Sequence, residues 1–243
     1  VDKIFVFWDD TPWGNIESCT YKGQVVKFPK KFDNILDKVK ELNDSKVTLI
    51  YDHVQNNIGQ FTHLANDIVL KNWPKPDLLM MIEVDHVFKK SEIEKAINLA
   101  SQDQLINTTT RPLELWKTYE YRIPERRRLA TMFWNMKTLS TLPQTGRHAN
   151  GRRPTVLPVD THNFGFCFNP QTMYWKHLTA IAFSQKIRDF PPNENWYDKW
   201  LNWTIDGNNK DLEISQGYEH TVPYAMRYNG DELPEIIKEK YGI

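Results

Sequence analysis

Two carboxylates stand two positions apart in Glu83-Val84-Asp85, directly after the apolar run Leu78-Leu79-Met80-Met81-Ile82. Hard divalent cations prefer carboxylate oxygen. Acids at i and i+2 on a turn can meet one cation together, directly or through water, and leave positions open for phosphate oxygens. Surface turns often carry the same triplet, so its weight comes from the buried strand before it, where ligand sites gather in open α/β sheets. A second pair, Glu194 and Asp198, falls one helical turn apart in the aromatic segment from Asn193 to Leu201 and would share a helix face. Beside it Trp196, Trp200 and Trp203 could offer a flat apolar platform to a sugar ring, or simply pack a core. His220, late in the chain in Gly217-Tyr218-Glu219-His220, could complete a carboxylate metal site, with His86 and His162 as weaker choices. Positive charge is concentrated too: between Lys117 and Arg153 two lysines and seven arginines face only Glu120 and Glu125, a surplus of seven in a chain of net charge zero. Such a stretch is an anion contact or a solvated surface.

The elements that must position these groups can be read from periodicity. Lys3 to Trp8 reads as a buried strand, Phe32, Ile35, Leu36, Val39 and Leu42 recur at helical spacing, and Val47 to Tyr51 reads as a strand again, which makes a βαβ unit. A helix fits Gln60 to Lys71 and stops at the Trp73-Pro74-Lys75-Pro76 breaker. Leu78 to Ile82 is continuously apolar, as a central parallel strand covered on both faces would be. Ser91-Glu92-Ile93-Glu94 has the form of a capping box opening a helix through Ala100, and Leu105 to Thr109 reads as another strand. The second half predicts an Arg-rich helix near Pro124 to Thr138, a Gly/Pro/Arg loop from Leu142 to Pro158, a strand from Asn163 to Phe168 that buries Cys167, a Pro170-led helix and the aromatic helix. Alternating strands and helices predict an α/β fold with a mainly parallel central sheet flanked by helices.

Composition sets the outer bounds. The 243 residues are 40% hydrophobic and 26% charged, the balance of a globular protein that can bury one catalytic-sized core. No apolar run approaches the roughly 20 residues of a membrane span, which argues for a soluble protein without a membrane segment. Cys19 and Cys167 are distant and lack a CxxC partner, so neither a disulfide framework nor a cysteine zinc site is expected. With a strand-like start in place of a secretion signal, a cytoplasmic setting is the default expectation.

Taken together, Asn56-Asn57-Ile58-Gly59-Gln60, an amphipathic helix, and Asp77-Leu78-Leu79-Met80-Met81-Ile82-Glu83-Val84-Asp85 resemble the family 2 type of GT-A glycosyltransferases. In that family an Asn-x-Gly segment and a helix lead into a hydrophobic strand and an Asp-x-Asp turn. The likeness covers Lys3 to Phe88 in element order and the rest more loosely. It implies a single GT-A-like catalytic domain over residues 1–243, with residues 1–90 as the nucleotide-sugar-binding half and residues 91–243 as the acceptor-side half. It further implies that Thr11 and Asp52 contact the nucleotide base and ribose, that Asn57 belongs to the substrate-binding set, and that Asp85, helped by Glu83 and completed by His220, holds Mn²⁺ or Mg²⁺ against the diphosphate. Glu83 stands where the family usually has Asp. The family's Arg-Asn pair is replaced within Leu64-Ala65-Asn66-Asp67, so diphosphate contacts are expected from Arg128 and its neighbours Arg126 and Arg127.

The activity implied is transfer of a hexose or pentose from a nucleotide-diphosphate donor, a UDP-sugar foremost, to an acceptor hydroxyl. An inverting route needs a base on the acceptor, for which Asp198 and then Glu194 are the candidates, with Trp196 beside the sugar. The acceptor is expected to be a glycan or an anionic molecule, DNA among the options. A nucleotidyltransferase would also use acidic metal ligands, but it would want a Gly-rich basic loop near the N-terminus, and Trp8 to Asn15 has one Gly and no Lys or Arg. A non-catalytic carbohydrate- or nucleic-acid-binding protein would explain the aromatics and arginines without the acids.

Overall fold

The computed structural model describes residues 2–8, 16–28, 37, 40–41, 44–51, 67–72, 76–124, 129–139, 153–187, 193–210, 212 and 224–243. The chain divides into two compact units. One comprises Val1–Pro74, Gln144–Gly146 and Leu178–Pro192, and the other Lys75–Pro143, Arg147–His177 and Asn193–Ile243.

In the first unit β1 (Ile4–Trp8) lies parallel to β4 (Val47–Tyr51), with Ile4 opposite Val47 and Trp8 opposite Tyr51, as a βαβ reading requires. Between them in sequence, β2 (Ser18–Tyr21) and β3 (Gln24–Lys27) form an antiparallel hairpin. Its two loop residues, Lys22 and Gly23, have φ of 48° and 77°, the backbone of a turn whose twist matches that of the strands. The Gln185 amide grips the hairpin: it accepts from the Thr20 N–H at 3.1 Å and donates to the Thr20 carbonyl at 2.6 Å. Residues 67–72, the described part of the helix expected from Gln60, are helical and bury Val69.

The second unit holds most of the described strands. They are β5 (Leu78–Met81), β6 (His86–Phe88), β7 (Asn107–Thr109), β8 (Leu113–Trp116), β9 (Thr118–Arg122), β10 (Met132–Asn135), β11 (Thr155–Val156), β12 (Thr161–Phe166) and β13 (Met226–Arg227). Helix α1 (Lys90–Ala100) follows β6, α2 (Pro170–Ile187) begins in this unit, and α3 (Trp196–Leu201) and α4 (Glu235–Tyr241) come later. One sheet runs β11-β7-β10-β5 and a second β13-β9-β8-β12-β6.

The class is mixed α/β, but the expected mainly parallel sheet is corrected. Among the described pairings only β1/β4, β7/β11 and β8/β12 are parallel; the others are antiparallel. The apolar run before the acids, β5, is not a central parallel strand. It pairs antiparallel with β10, Met81 opposite Met132 and Leu78 opposite Asn135, and its four side chains are only half-buried. Its partner is a second correction, because β10 lies inside the segment read as an Arg-rich helix. Met132, Phe133, Trp134 and Asn135 are all buried, which a strand covered on both faces achieves and a helix with one apolar stripe does not. Helix α1 starts at Lys90 with Lys89 as its N-cap and no side-chain cap bond, so the Ser91 capping box does not form. Glu92 instead accepts the Asp160 N–H at 2.8 Å, tying the helix start to the residue before β12.

Behind β8 and β12 the core is aromatic. Trp116, Phe166, Met173, Trp196, Trp200 and Trp203 are buried together, with Trp116 edge-on to Trp196 at 6.0 Å and to Trp203 at 6.4 Å. Each such pair contributes about 0.5–1.5 kcal/mol beyond area burial. The Trp200 indole donates to the Phe166 carbonyl at 3.1 Å, so α3 is bolted to the end of β12.

Candidate metal centre

The candidate site is the connection from β5 to β6. The His86 N–H donates to the Glu83 carbonyl at 3.0 Å, closing a turn over Glu83-Val84-Asp85-His86, and the Phe164 N–H donates to the Asp85 carbonyl at 2.8 Å, fixing that turn to β12. In this turn Val84 is 98% exposed, Glu83 and Asp85 are half-buried and His86 is buried. Ligand atoms of Glu83, Asp85 and His86 all lie within 4.8 Å of one another. His86 Nε2 stands 3.8 Å from Glu83 Oε2 and 3.8 Å from Asp85 Oδ1.

These separations fit a cation. At 3.8 Å the contacts are longer than hydrogen bonds. Two ligands of one octahedral ion, each about 2.1 Å from it, stand roughly 3 to 4.2 Å apart. Two hard carboxylates with one imidazole suit Mn²⁺ better than Mg²⁺, which favours an all-oxygen shell.

The other side of Asp85 is built by β12 and α2. Lys176 Nζ lies 3.8 Å from Asp85 Oδ2 and donates to the Gly165 carbonyl at 2.6 Å, while the Gly165 N–H donates to Asn163 Oδ1 at 2.7 Å. A Cβ at position 165 would stand 2.7 Å from Asp85 Oδ2, 2.8 Å from Asn163 Oδ1 and 2.9 Å from Lys176 Nζ, so these three side-chain ends would have to move to admit it. The pairing of β12 with β8 is irregular between Asn163 and Phe166, and that irregularity carries Gly165 under the carboxylate. Cys167 lies just past the end of β12 and not within the strand as expected, and is half-buried; burial pushes its thiol up to about 12, although the Lys176 ammonium pulls the other way.

Of the residues expected from the sequence, Glu83 and Asp85 do come together. His86, held as a weaker choice, joins them; it sits where the polar turn runs into a strand, and adjacency to Asp85 was its only local signal. Gly165, Asn163 and Lys176 were not anticipated, because only the pairing of β6 with β12 brings them there. Thr11, Asp52, Asn57, Arg128 and His220 lie outside the described residues.

Trp196 is corrected: it is 1% exposed, its indole donates to the Leu212 carbonyl at 3.2 Å, and its ring packs on Trp116, Phe166 and His177, so it is core and no open platform. Asp198 is half-buried in the first turn of α3. Glu194 is half-buried in the turn before that helix, so the two acids do not share one regular helix face. The Tyr197 phenol between Trp196 and Asp198 is pushed up by burial and, further, by Tyr174 and Asp198. Among the described residues no helix is long and apolar enough to cross a membrane. Comparison with protein-family models, with curated proteins and with solved structures finds no match for this chain.

Proposed function

We propose that the chain is a metal-assisted glycosyltransferase with a GT-A arrangement, moving a sugar from a nucleotide-diphosphate donor to an acceptor hydroxyl. The observation that carries this reading is the convergence of Glu83, Asp85 and His86 at the end of β5, a donor set suited to Mn²⁺. A divalent cation bound there would offset the charge that builds on the diphosphate as the glycosidic bond breaks. Asp85 and Glu83 would supply its carboxylate oxygens and His86 its imidazole, while the exposed Val84 leaves the approach to the turn open. On the acceptor side Asp198, with Glu194 as the alternative, would take the hydroxyl proton as the oxygen forms its new bond at the anomeric carbon. Thr11 and Asp52 would serve the base and ribose of a UDP-sugar, Asn57 would contact the substrate, and Arg128 and His220 would serve the diphosphate and the ion.

A thermal-shift series of nucleotide sugars with and without Mn²⁺ tests the donor, since a ligand of the native state raises its melting temperature. Asp85→Asn is expected to remain folded, to lose that Mn²⁺-dependent shift and to abolish transfer, with Glu83→Gln milder. Wild-type shift and turnover in folded Asp85→Asn would end the assignment. For the acceptor, a glycan or an anionic molecule, the arginine surplus is the feature that would serve an anion such as DNA. Binding of duplex DNA that weakens steeply with salt, and weakens again in an Arg147/Arg152/Arg153→Ala variant, is the expected result; no binding at low salt would return the acceptor to the neutral class.

A further inference from the structure

Lys176 is placed with unusual care for a lysine. Its ammonium donates to the Gly165 carbonyl at 2.6 Å, stands 3.8 Å from Asp85 Oδ2, and lies over the rings of Phe166 at 5.2 Å and Phe168 at 5.5 Å. A backbone acceptor, a carboxylate and two aromatic faces fix the charge, yet about a third of the side chain, 35%, stays open to solvent. Asp85 therefore faces two cation positions at once: Oδ1 turns to His86 and the acidic cluster, and Oδ2 to Lys176. The missing side chain at Gly165 is what lets both sit so close.

We propose that Lys176 links cation binding to diphosphate binding at this site, an inference that rests on the metal-assisted reading above. Without a diphosphate its charge lies against Asp85 and weakens the carboxylate's hold on a divalent cation, since like charges compete for one acid. When a diphosphate arrives, its oxygens offer the ammonium a second anion on the solvent side. The competition is relieved, and cation and diphosphate each tighten the other's binding. Such coupling is reciprocal.

The test measures Mn²⁺ binding by calorimetry to wild type, Lys176→Met, Lys176→Arg and Asp85→Asn, first alone. It is then repeated with whichever of UDP, GDP, ADP, CDP and dTDP binds wild type most tightly in Mn²⁺. Lys176→Met is expected to bind Mn²⁺ alone roughly fivefold more tightly and the Mn²⁺-dependent nucleotide roughly tenfold more weakly, within the range of couplings between linked sites. Lys176→Arg, which keeps the charge, should stay near wild type in both. If Lys176→Met does not fold, Lys176→Gln, which retains a donor for the Gly165 carbonyl, carries the same expectations. Mn²⁺ binding that Asp85→Asn abolishes but the neutral Lys176 variants leave unchanged or weaken overturns the role of Lys176 and leaves the metal centre standing. Absence of Mn²⁺ binding in wild type overturns both.

Discussion

Asp85 turns its two oxygens in different directions, and Gly165 is the residue that allows it. The φ of Gly165 does not demand glycine; a Cβ there would instead displace three polar side-chain ends that lie within 2.9 Å of it. Gly165→Ala is therefore expected to push Asp85 and Lys176 apart, at about 1–3 kcal/mol of stability, the usual cost of overpacking. Mn²⁺ affinity should fall by at least tenfold, since even partners outside the first shell of a metal are worth about 10–100-fold. Urea denaturation and Mn²⁺ titration of the same variant check the two halves. An alanine variant that keeps wild-type Mn²⁺ affinity would mean that the carboxylate does not need its present position. Cys167, two residues on, gives a pH test. Its thiol is raised from 9.0 to about 12, so the folded state keeps a proton that the unfolded chain gives up first. That contribution to stability is fully present below 9.0 and is lost as the pH rises towards 12, at up to about 1.4 kcal/mol per pH unit. Iodoacetamide at pH 8.5 should leave Cys167 unlabelled in the native protein and label it on unfolding; rapid native labelling would refute the shift.

At the scale of elements, the C-terminal end of α3 is held by a group distant in sequence. Lys117 adopts the left-handed backbone, with φ of 66°, between β8 and β9, and from there its ammonium donates to the Trp200 carbonyl at 2.9 Å and the Leu201 carbonyl at 3.0 Å. It also lies 3.8 Å from the centre of the Trp200 ring, and burial pushes it below the ordinary lysine range. Orphan carbonyls at a helix C-terminus favour a cation there. Lys117→Met should cost about 1–2 kcal/mol by loss of this cap. If Asp198 is the base, it should also lower kcat more than it raises KM. Equal stability of variant and wild type in urea would show the cap to be idle.

The same elements show what a sequence carries and what it does not. The turn after β5 was legible because apolar residues give way abruptly to acids, and α2 because Pro170 opens it. The direction of β5 was not legible, since a continuous apolar run reports burial and is silent on which neighbour it pairs with. The arginines before β10 suit a helix, while the four buried residues that decide the matter are buried by distant parts of the chain: the strand lies between β5 and β7, and Phe133 packs among Ala96, Ala100, Leu157 and Val159. Lys176 and Gly165 carry no local mark at all, and their role exists only once β12 is laid beside β6.

For the molecule as a whole, the catalytic reading sets the acidic turn in a chain whose positive charge lies elsewhere in sequence. Arg122, at the end of β9, lies over the Tyr228 ring at 5.8 Å, and Arg153 is exposed; the other arginines of the surplus, 126–128, 147 and 152, lie outside the described residues. The candidate centre itself is drawn from two distant stretches, the turn at 83–86 and the strand and helix at 163–176, roughly 80 residues apart in sequence. Contacts of that separation form only after a long loop has closed, and the entropy of closure must be met before they contribute. As the chain leaves the ribosome, Asp85 therefore emerges well before Gly165 and Lys176 exist, with Glu83 and His86 beside it on an unpaired turn. On the metal-assisted reading, a cation met at that stage would be held only by a loose, hydrated fragment, and selectivity for one ion would belong to the finished fold.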